Sequence, residues 1–470
     1  MGHMSGDTTE EMESARRFAA DLKKIVSTTA ATLDAGSPAA ALIDKVTRHL
    51  GVPLSSVLLV AQQLEDWEHA TLQRGVDVYL AERGDDAEWF GISGASRGHE
   101  DLVGMLAGAS RHGQFELGAV DFTTAAVGPD EVTEVVQLGL VATTAPDGTP
   151  VIVGVRGSMP QYGAPFCRFE VLSAVREAAT AVRDRIDELR REHDVLRGQV
   201  LAFGVSEHRG NELLTFLPRP ELDEDQVVLP EGVLPTIERH VVSIAEHAER
   251  LLASGQHLKR GLLLHGPPGT GKTHTVRYLM GRLPETTVVV LTGTVMRFIS
   301  KAAALARRLQ PCMVVLEDVD LVAQDRSATP MGNPLLFSLL DAMDGIGSDA
   351  DVTFVLTTNR AKDLENALAD RPGRVDLALE IPKPDAEGRE RLFHLYGRGV
   401  NLTADLAPVV AGTDGVTASF IKELLRRATL RGLDVRPDQD PVTVDDEALS
   451  TALTEMQDAR NALTRSLLGT

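Results

Sequence analysis

The residues best placed to do chemistry are Gly266-Pro267-Pro268-Gly269-Thr270-Gly271-Lys272-Thr273. They follow the apolar run Leu262-Leu263-Leu264 and precede a helix-compatible run from His274 to Leu283. Strand, glycine-rich loop and helix, in that order, is the setting a phosphate-binding P-loop requires. Glycines let the backbone curl so that successive N–H groups point at phosphate oxygens, and the helix adds its partly positive N-terminus. Lys272 then reaches the β- and γ-phosphates, and the Thr273 hydroxyl can ligand Mg²⁺. These residues imply binding of a nucleoside triphosphate.

A second cluster lies at the end of an apolar run, Leu316-Glu317-Asp318-Val319-Asp320. Carboxylates at a strand tip beside a P-loop hold the Mg²⁺ shell and polarise an attacking water. Further on, Val355-Leu356-Thr357-Thr358-Asn359-Arg360 ends a strand in a polar amide; beside a P-loop Asn359 could sit between the first two motifs and orient the water, and taken alone it is a plain turn residue after a strand. Arg371-Pro372-Gly373-Arg374 offers two cations before a last strand; taken alone it is an ordinary solvated turn.

The elements that must position these groups read as a parallel α/β domain. Strand-like runs at 261–264, 287–291, 313–316, 353–356 and 377–381 alternate with helical stretches, which implies parallel pairing with helices on both faces. After Pro382-Lys383-Pro384-Asp385 the pattern is purely helical, with Thr443 and Asp446 as a capping box for the last helix. The first third also reads helical: about 9–33, a second helix through Leu42, Val46 and Leu50, and a longer pattern over 55–81 carrying Val60, Leu64, Trp67 and Leu72. Pro146-Asp147-Gly148 sits between two β-rich runs and predicts a hairpin. The helix after Pro165 carries an apolar stripe through Val175, Ala179, Val182, Ile186, Leu189 and Leu196 that should pack against that hairpin. Two strand candidates, 199–205 and 213–217, precede the acidic stretch Glu221-Leu222-Asp223-Glu224-Asp225, read as a linker.

A chain of 470 residues is too long for one hydrophobic core and predicts about three domains. No apolar run reaches the ~20 residues of a membrane span, and no signal peptide is evident, so the expected location is cytoplasmic. Cys167 and Cys312 are far apart in apolar settings and suggest neither a disulfide framework nor a metal site. The net charge of −21 weighs against nucleic-acid binding, because phosphate backbones need basic surfaces.

With these motifs in this order, the stretch from about Gln226 to Leu467 resembles the AAA family of ring-forming ATPases. The resemblance implies an α/β fold: a P-loop AAA module of parallel sheet flanked by helices, then a C-terminal helical lid, preceded by a helical and mixed α/β N-terminal region. The expected domains are a mainly helical region at 1–120, a mixed α/β domain with hairpin and linker at 121–225, the large ATPase subdomain at 226–384 and the lid at 385–470. The cofactors implied are ATP and Mg²⁺. Phosphate contacts are assigned to the loop, with Pro268, Gly269, Thr270, Gly271, Lys272, Thr273 and His274 as nucleotide-binding residues, and Mg²⁺ to Thr273 and Glu317. The resemblance makes Glu317 and Asp318 the catalytic carboxylates and Asn359 the sensor residue. Arg371 and Arg374 become arginine fingers reaching a neighbour's γ-phosphate. Val227 and Val228 should lie near the adenine, with Ala418 and Ser419 of the lid against the nucleotide. The phrase Leu339-Leu340-Asp341-Ala342-Met343-Asp344-Gly345 matches the family as well.

Departures narrow the reading. The catalytic strand ends Glu317-Asp318 where the family usually has Asp-Glu. That order, with Arg371-Pro372-Gly373-Arg374-Val375-Asp376-Leu377, is similar to the branch of the mitochondrial Rieske-protein translocase and its bacterial relatives. In place of the usual aromatic–small–glycine pore loop stands Thr294-Val295-Met296-Arg297-Phe298-Ile299-Ser300, in which Phe298 is either a pore aromatic or a buried helix position. No His-Glu-x-x-His follows the lid, so a fused metalloprotease is not expected. Three function classes follow: a homohexameric ATPase that remodels or chaperones protein clients or adaptors held by residues 1–225, a nucleotide-gated scaffold with little turnover, and a nucleic-acid motor. The first is the expectation carried forward.

Overall fold

The computed structural model describes residues 38–84, 87–95, 97–98, 100–160, 164–205, 212–320, 334–360 and 374–468. The chain divides into two compact units, 1–195 and 196–470.

In the first unit, α1 (Pro38–Leu50), β1 (Leu58–Glu65), α2 (His69–Arg83), β2 (Trp89–Ser93), α3 (Leu102–His112), β3 (Glu116–Gly118), β4 (Asp121–Ala126), β5 (Val132–Thr144), β6 (Pro150–Arg156), β7 (Phe166–Ser173) and α4 (Arg176–Glu192) follow in order. The strands form one antiparallel sheet, β1-β7-β6-β5-β2-β3, with β4 on β5. Alternating side chains serve two cores. Val151, Val153, Val155, Phe169 and Val171 pack with Leu72, Val76 and Tyr79 of α2 and Val182, Ile186 and Leu189 of α4. Leu138, Leu140, Ile152 and Leu172 pack with Leu42 and Val46 of α1 and Leu102 and Met105 of α3. The hairpin and the α4 stripe thus meet in one core, and Gly148 closes the turn at φ +85°.

The helix expected over 55–81 is instead strand β1 followed by α2. Val60 and Leu64 share one face in a strand as well as in a helix, so their spacing does not separate the two, and all eight residues of β1 pair with β7. The expected boundary at 120/121 also falls inside this sheet, because β2 and β3 on one side of it join β5 on the other. The helix expected at 9–33 lies outside the described residues.

The second unit holds β8 (Val200–Val205), β9 (Glu212–Leu217), β10 (Arg260–His265), α5 (Lys272–Arg282), β11 (Thr287–Thr292), α6 (Ile299–Arg308), β12 (Cys312–Glu317), α7 (Pro334–Asp344), β13 (Val352–Thr358) and β14 (Leu377–Glu380). Its sheet runs β14-β10-β13-β12-β11-β8-β9, parallel except for β9. Leu262, Leu264, Val288, Met313, Val315 and Val355 are buried in it, as befits strands covered on both faces. The hairpin β8–β9 therefore extends the ATPase sheet and precedes the expected boundary at 225/226. Arg219 fastens its exit: its guanidinium donates to the carbonyls of Met280 (2.6 Å) and Leu283 (3.1 Å) at the end of α5, and to those of Gly198 (2.9 Å) and Thr286 (2.8 Å). A cation on the carbonyl end of a helix suits its dipole.

The remainder comprises α8 (Ala386–Tyr396), β15 (Asn401–Leu402), α9 (Leu406–Gly412), α10 (Ala418–Val435), β16 (Thr443–Val444) and α11 (Asp446–Leu468). Leu392, Phe393, Ile421, Leu424 and Leu449 form its core. It is not purely helical, since β15 and β16 pair in parallel. The cap of α11 is Asp445, whose carboxylate accepts from the Ala448 N–H at 3.0 Å; Thr443 is committed to β16.

Candidate nucleotide site

The P-loop joins β10 to α5 with Gly266, Gly269 and Gly271 at φ +141°, +76° and +110°. Two of these positions exclude a side chain for a further reason. A Cβ on Gly266 would lie 2.3 Å from the Ile381 carbonyl oxygen, and one on Gly269 would lie 2.8 Å from Ser419 Oγ. The second contact is where the lid touches the loop: the Ser419 N–H (3.1 Å) and hydroxyl (3.2 Å) both donate to the Gly269 carbonyl.

Lys272 opens α5 and is buried at 6 % exposure. Its Nζ donates to the carbonyls of Gly266 (2.8 Å) and Pro267 (2.9 Å) and to Asn359 Oδ1 (2.9 Å). Burial lowers its pKa, while the carboxylates of Asp318 and Asp320 hold the charged form against that effect. Asn359 Nδ2 donates to Asp318 Oδ1 at 3.3 Å. The amide can face only this way, because an ammonium has no acceptor and a carboxylate no donor. Strand order explains the juxtaposition. β13 lies between β10 and β12, so its tip puts Asn359 between Lys272 and Asp318. The carboxylate strand is therefore one strand removed from the P-loop strand, not its immediate neighbour.

Asp318 is the one non-glycine residue with positive φ among the described residues, at +54°. The tip of β13 holds it there: the Asp318 N–H donates to Thr357 Oγ1 and the Val319 N–H to the Thr357 carbonyl, both at 3.0 Å. The Glu317 carboxylate is within hydrogen-bonding reach of the Thr273 hydroxyl. Burial pushes its carboxyl above the ordinary glutamate range, the Thr273 bond opposes this, and Asp318 adds to the rise. A hydroxyl and a carboxylate already in contact suit Mg²⁺, which is usually bound by one or two protein oxygens with water and phosphate completing its shell. Thr273 and Glu317 would hold that ion.

A cleft of about 400 Å³ adjoins the loop, lined by Val228, Leu229, Pro230, Thr270, Ile381, Pro382, Leu392 and Ala418 among others. Val228, Thr270 and Ala418 were expected there. Val227 is not among its lining residues; it is 3 % exposed and turned into the sheet core. His274 is exposed, and its Nε2 lies 3.0 Å from the Gln226 carbonyl, tying α5 to the segment before Val228. Leu229, Ile381, Pro382 and Leu392 were missed, because they come from two stretches far apart in sequence and carry no motif.

The two arginines fare differently. Arg374 is 8 % exposed and gives Asp344 two bonds, from Nε (2.9 Å) and from a terminal nitrogen (2.7 Å). It lies beside the start of β10, with its carbonyl oxygen 1.7 Å from where a Gly261 Cβ would be. That is the end of β10 remote from the P-loop. Arg371 lies outside the described residues. Phe298 is half-buried, its ring 6.1 Å from that of Phe203 on β8, and Arg297 stacks on it at 4.7 Å, so the packed reading of Phe298 fits better than a free pore aromatic.

Comparison with known proteins agrees with this geometry. The family described as "ATPase family associated with various cellular activities (AAA)" matches residues 262–383. The chain is 32 % identical over 275 residues to the ATP-dependent zinc metalloprotease FtsH 2 of Symbiobacterium thermophilum, covering 53 % of this chain and 45 % of that protein. It is 33 % identical over 226 residues to the FtsH metalloprotease of Thermus thermophilus, covering 44 % and 35 %. It is 31 % identical over 202 residues to the proteasome-activating nucleotidase of Methanosphaerula palustris, covering 40 % and 48 %. The chain thus spans about half or less of the length of these relatives. A P-loop whose lysine, sensor amide and carboxylates converge, within the segment the family matches, makes residues 262–383 an ATPase segment of the AAA family, with ATP and Mg²⁺ as the nucleotide and ion it serves.

Proposed function

We propose that the whole chain hydrolyses MgATP as a ring and uses the cycle to remodel protein clients engaged by residues 1–195. The observation that carries this reading is the continuous path from Lys272 Nζ through the Asn359 amide to Asp318 Oδ1, with Glu317 and Thr273 beside it. In that arrangement Lys272 would bind the β- and γ-phosphates, Thr273 and Glu317 would hold a Mg²⁺ whose charge offsets theirs, and Asp318 would draw a proton from the attacking water that Asn359 orients. The names of the relatives, metalloproteases and a proteasome-activating nucleotidase, favour protein clients. The net charge of −21 disfavours a nucleic-acid motor. Among the described residues no helix is long and apolar enough to cross a membrane, which is compatible with work in the cytoplasm.

For assembly we favour a homohexamer in which Arg371 makes the contact in trans. Arg374 is instead held by Asp344. An arginine supplied across a boundary accelerates phosphoryl transfer about 10³–10⁵-fold in other systems. Arg371→Ala subunits should bind ATP and hydrolyse it poorly, and Lys272→Ala subunits should not bind it. Mixing the two should restore part of the activity, because one interface can then combine an intact P-loop with an intact Arg371. Concentration-independent hydrolysis by a monomer, or no complementation in mixed rings shown to form, would refute the trans reading. A chain that binds ATP with no turnover in any assembly state would instead be a nucleotide-gated scaffold.

A further inference from the structure

The carboxylate of Asp320 belongs to neither the Mg²⁺ pair nor the water-activating group, yet it is 5 % exposed. A buried carboxylate is expensive unless hydrogen bonds and a nearby cation satisfy it. Its Oδ1 accepts from the Thr358 hydroxyl and from the Asn359 N–H, each at 3.1 Å. The Thr358 hydroxyl accepts in turn from the Arg360 N–H at 3.0 Å. One oxygen therefore governs the direction in which the chain leaves β13, over the residues that carry the Asn359 amide.

The grip is reciprocal. Thr357, at the tip of β13, holds the backbone of Asp318 and Val319, and Asp320, just past the tip of β12, holds the backbone and hydroxyl of residues 358–359. Asn359 must satisfy two partners at once, Lys272 Nζ at 2.9 Å and Asp318 Oδ1 at 3.3 Å. A shift of the amide toward either partner loses the other. Its backbone needs a fixed acceptor, and Asp320 supplies it.

We propose that Asp320 is a positioning residue for ATP hydrolysis: it acts through Thr358 and the Asn359 backbone to keep the Asn359 side chain in register with both Lys272 and Asp318. This rests on the ATPase reading above. The role requires an acceptor at that point in space, so an amide oxygen should replace the carboxylate oxygen and a methyl group should not.

The test uses the full chain with MgATP. It compares kcat, KM, binding of a fluorescent ATP analogue and thermal midpoint for the unsubstituted protein, Asp320→Ala, Asp320→Asn, Asn359→Ala and the Asp320→Ala/Asn359→Ala double variant. A displacement of about 1 Å at a catalytic group costs on the order of 10²-fold in rate, so Asp320→Ala should lose about 10- to 100-fold in kcat with analogue binding within about threefold. Asp320→Asn should recover most of that loss. The double variant should be no more than about threefold slower than Asn359→Ala alone, because two residues acting through one group do not add. Multiplicative losses, Asp320→Asn as slow as Asp320→Ala, or Asp320→Ala as fast as the unsubstituted protein would each overturn the proposal. Should Asp320→Ala fail to fold, Thr358→Val removes one of the two bonds at nearly constant volume. It must show a smaller kcat loss that likewise vanishes in the Asn359→Ala background. No turnover in the unsubstituted protein would defeat the ATPase reading, and this role with it; normal turnover in both Asp320 variants would defeat this role alone.

Discussion

Replacing Asp318 by asparagine removes one charge and little else, which makes it the sharpest probe of the chemistry. The residue sits at φ +54°, a left-handed conformation that Asp and Asn both tolerate better than most side chains, so Asn adds no backbone strain. The bonds from Asp318 and Val319 to Thr357 use the backbone and survive. An amide oxygen can still accept from Asn359 Nδ2, now 3.3 Å from the carboxylate. What is lost is the group that takes the proton from water. General-base assistance is worth about 10²–10⁴ in rate, or about 2.7–5.4 kcal/mol of barrier. At saturating MgATP, phosphate release should fall at least tenfold (about 1.4 kcal/mol), while equilibrium ATP binding and the thermal midpoint stay close to those of the parent. Unchanged kcat would assign proton abstraction to another group, with Glu317 the next in reach. A rate loss matched by an equal loss of binding would show that Asp318 serves the ground state, not the transition state.

Two further perturbations test separate parts of the structure. Burial holds the Glu317 carboxyl above the ordinary glutamate range, so it takes up a proton at a higher pH than an exposed glutamate. As pH falls through that raised value the folded state gains stability from this group, because folding favours its protonated form, while its capacity to hold Mg²⁺ declines. Mg²⁺ titrations of turnover from about pH 8 to about pH 5 should show apparent Mg²⁺ affinity dropping in acid, and Glu317→Gln should be weak and flat over the same range; a flat parent profile would contradict the assignment. Arg219→Met should destabilise the second unit by about 2–4 kcal/mol, since four carbonyl oxygens lose a charged donor and methionine keeps the stem's packing. Chemical denaturation followed on that unit measures it, and a change below about 0.5 kcal/mol would show that the hairpin holds without its anchor.

Much of the site was legible in the chain because its motifs are local. A P-loop is eight consecutive residues whose glycines, lysine and threonine each have a backbone or chemical reason to be there, and an apolar run ending in carboxylates or in an amide marks a strand tip. The alternation of strands and helices after residue 260 fixed the parallel α/β class on the same local grounds. Where the pattern was ambiguous, the sequence misled. Leu58–Glu65 satisfies helical and strand spacing alike, and only its long-range pairing with β7 decides for the strand.

Tertiary structure decided what depends on residues distant in sequence. Strand order, which no local pattern encodes, inserts β13 between the P-loop and the carboxylates and so makes Asn359 the bridge. It adds β8–β9 to the ATPase sheet and sets Phe203 against Phe298. It gathers the cleft from residues 228–230, 381–392 and 418, turns Val227 inward, and commits Arg374 to Asp344. It also gives Asp320 its two donors from the neighbouring strand tip. The physical reason is the same in each case: residue type and spacing specify what a side chain can do, but its partner is set by backbone hydrogen bonds between segments 25 to 150 residues apart, whose register is chosen by the whole sheet's packing.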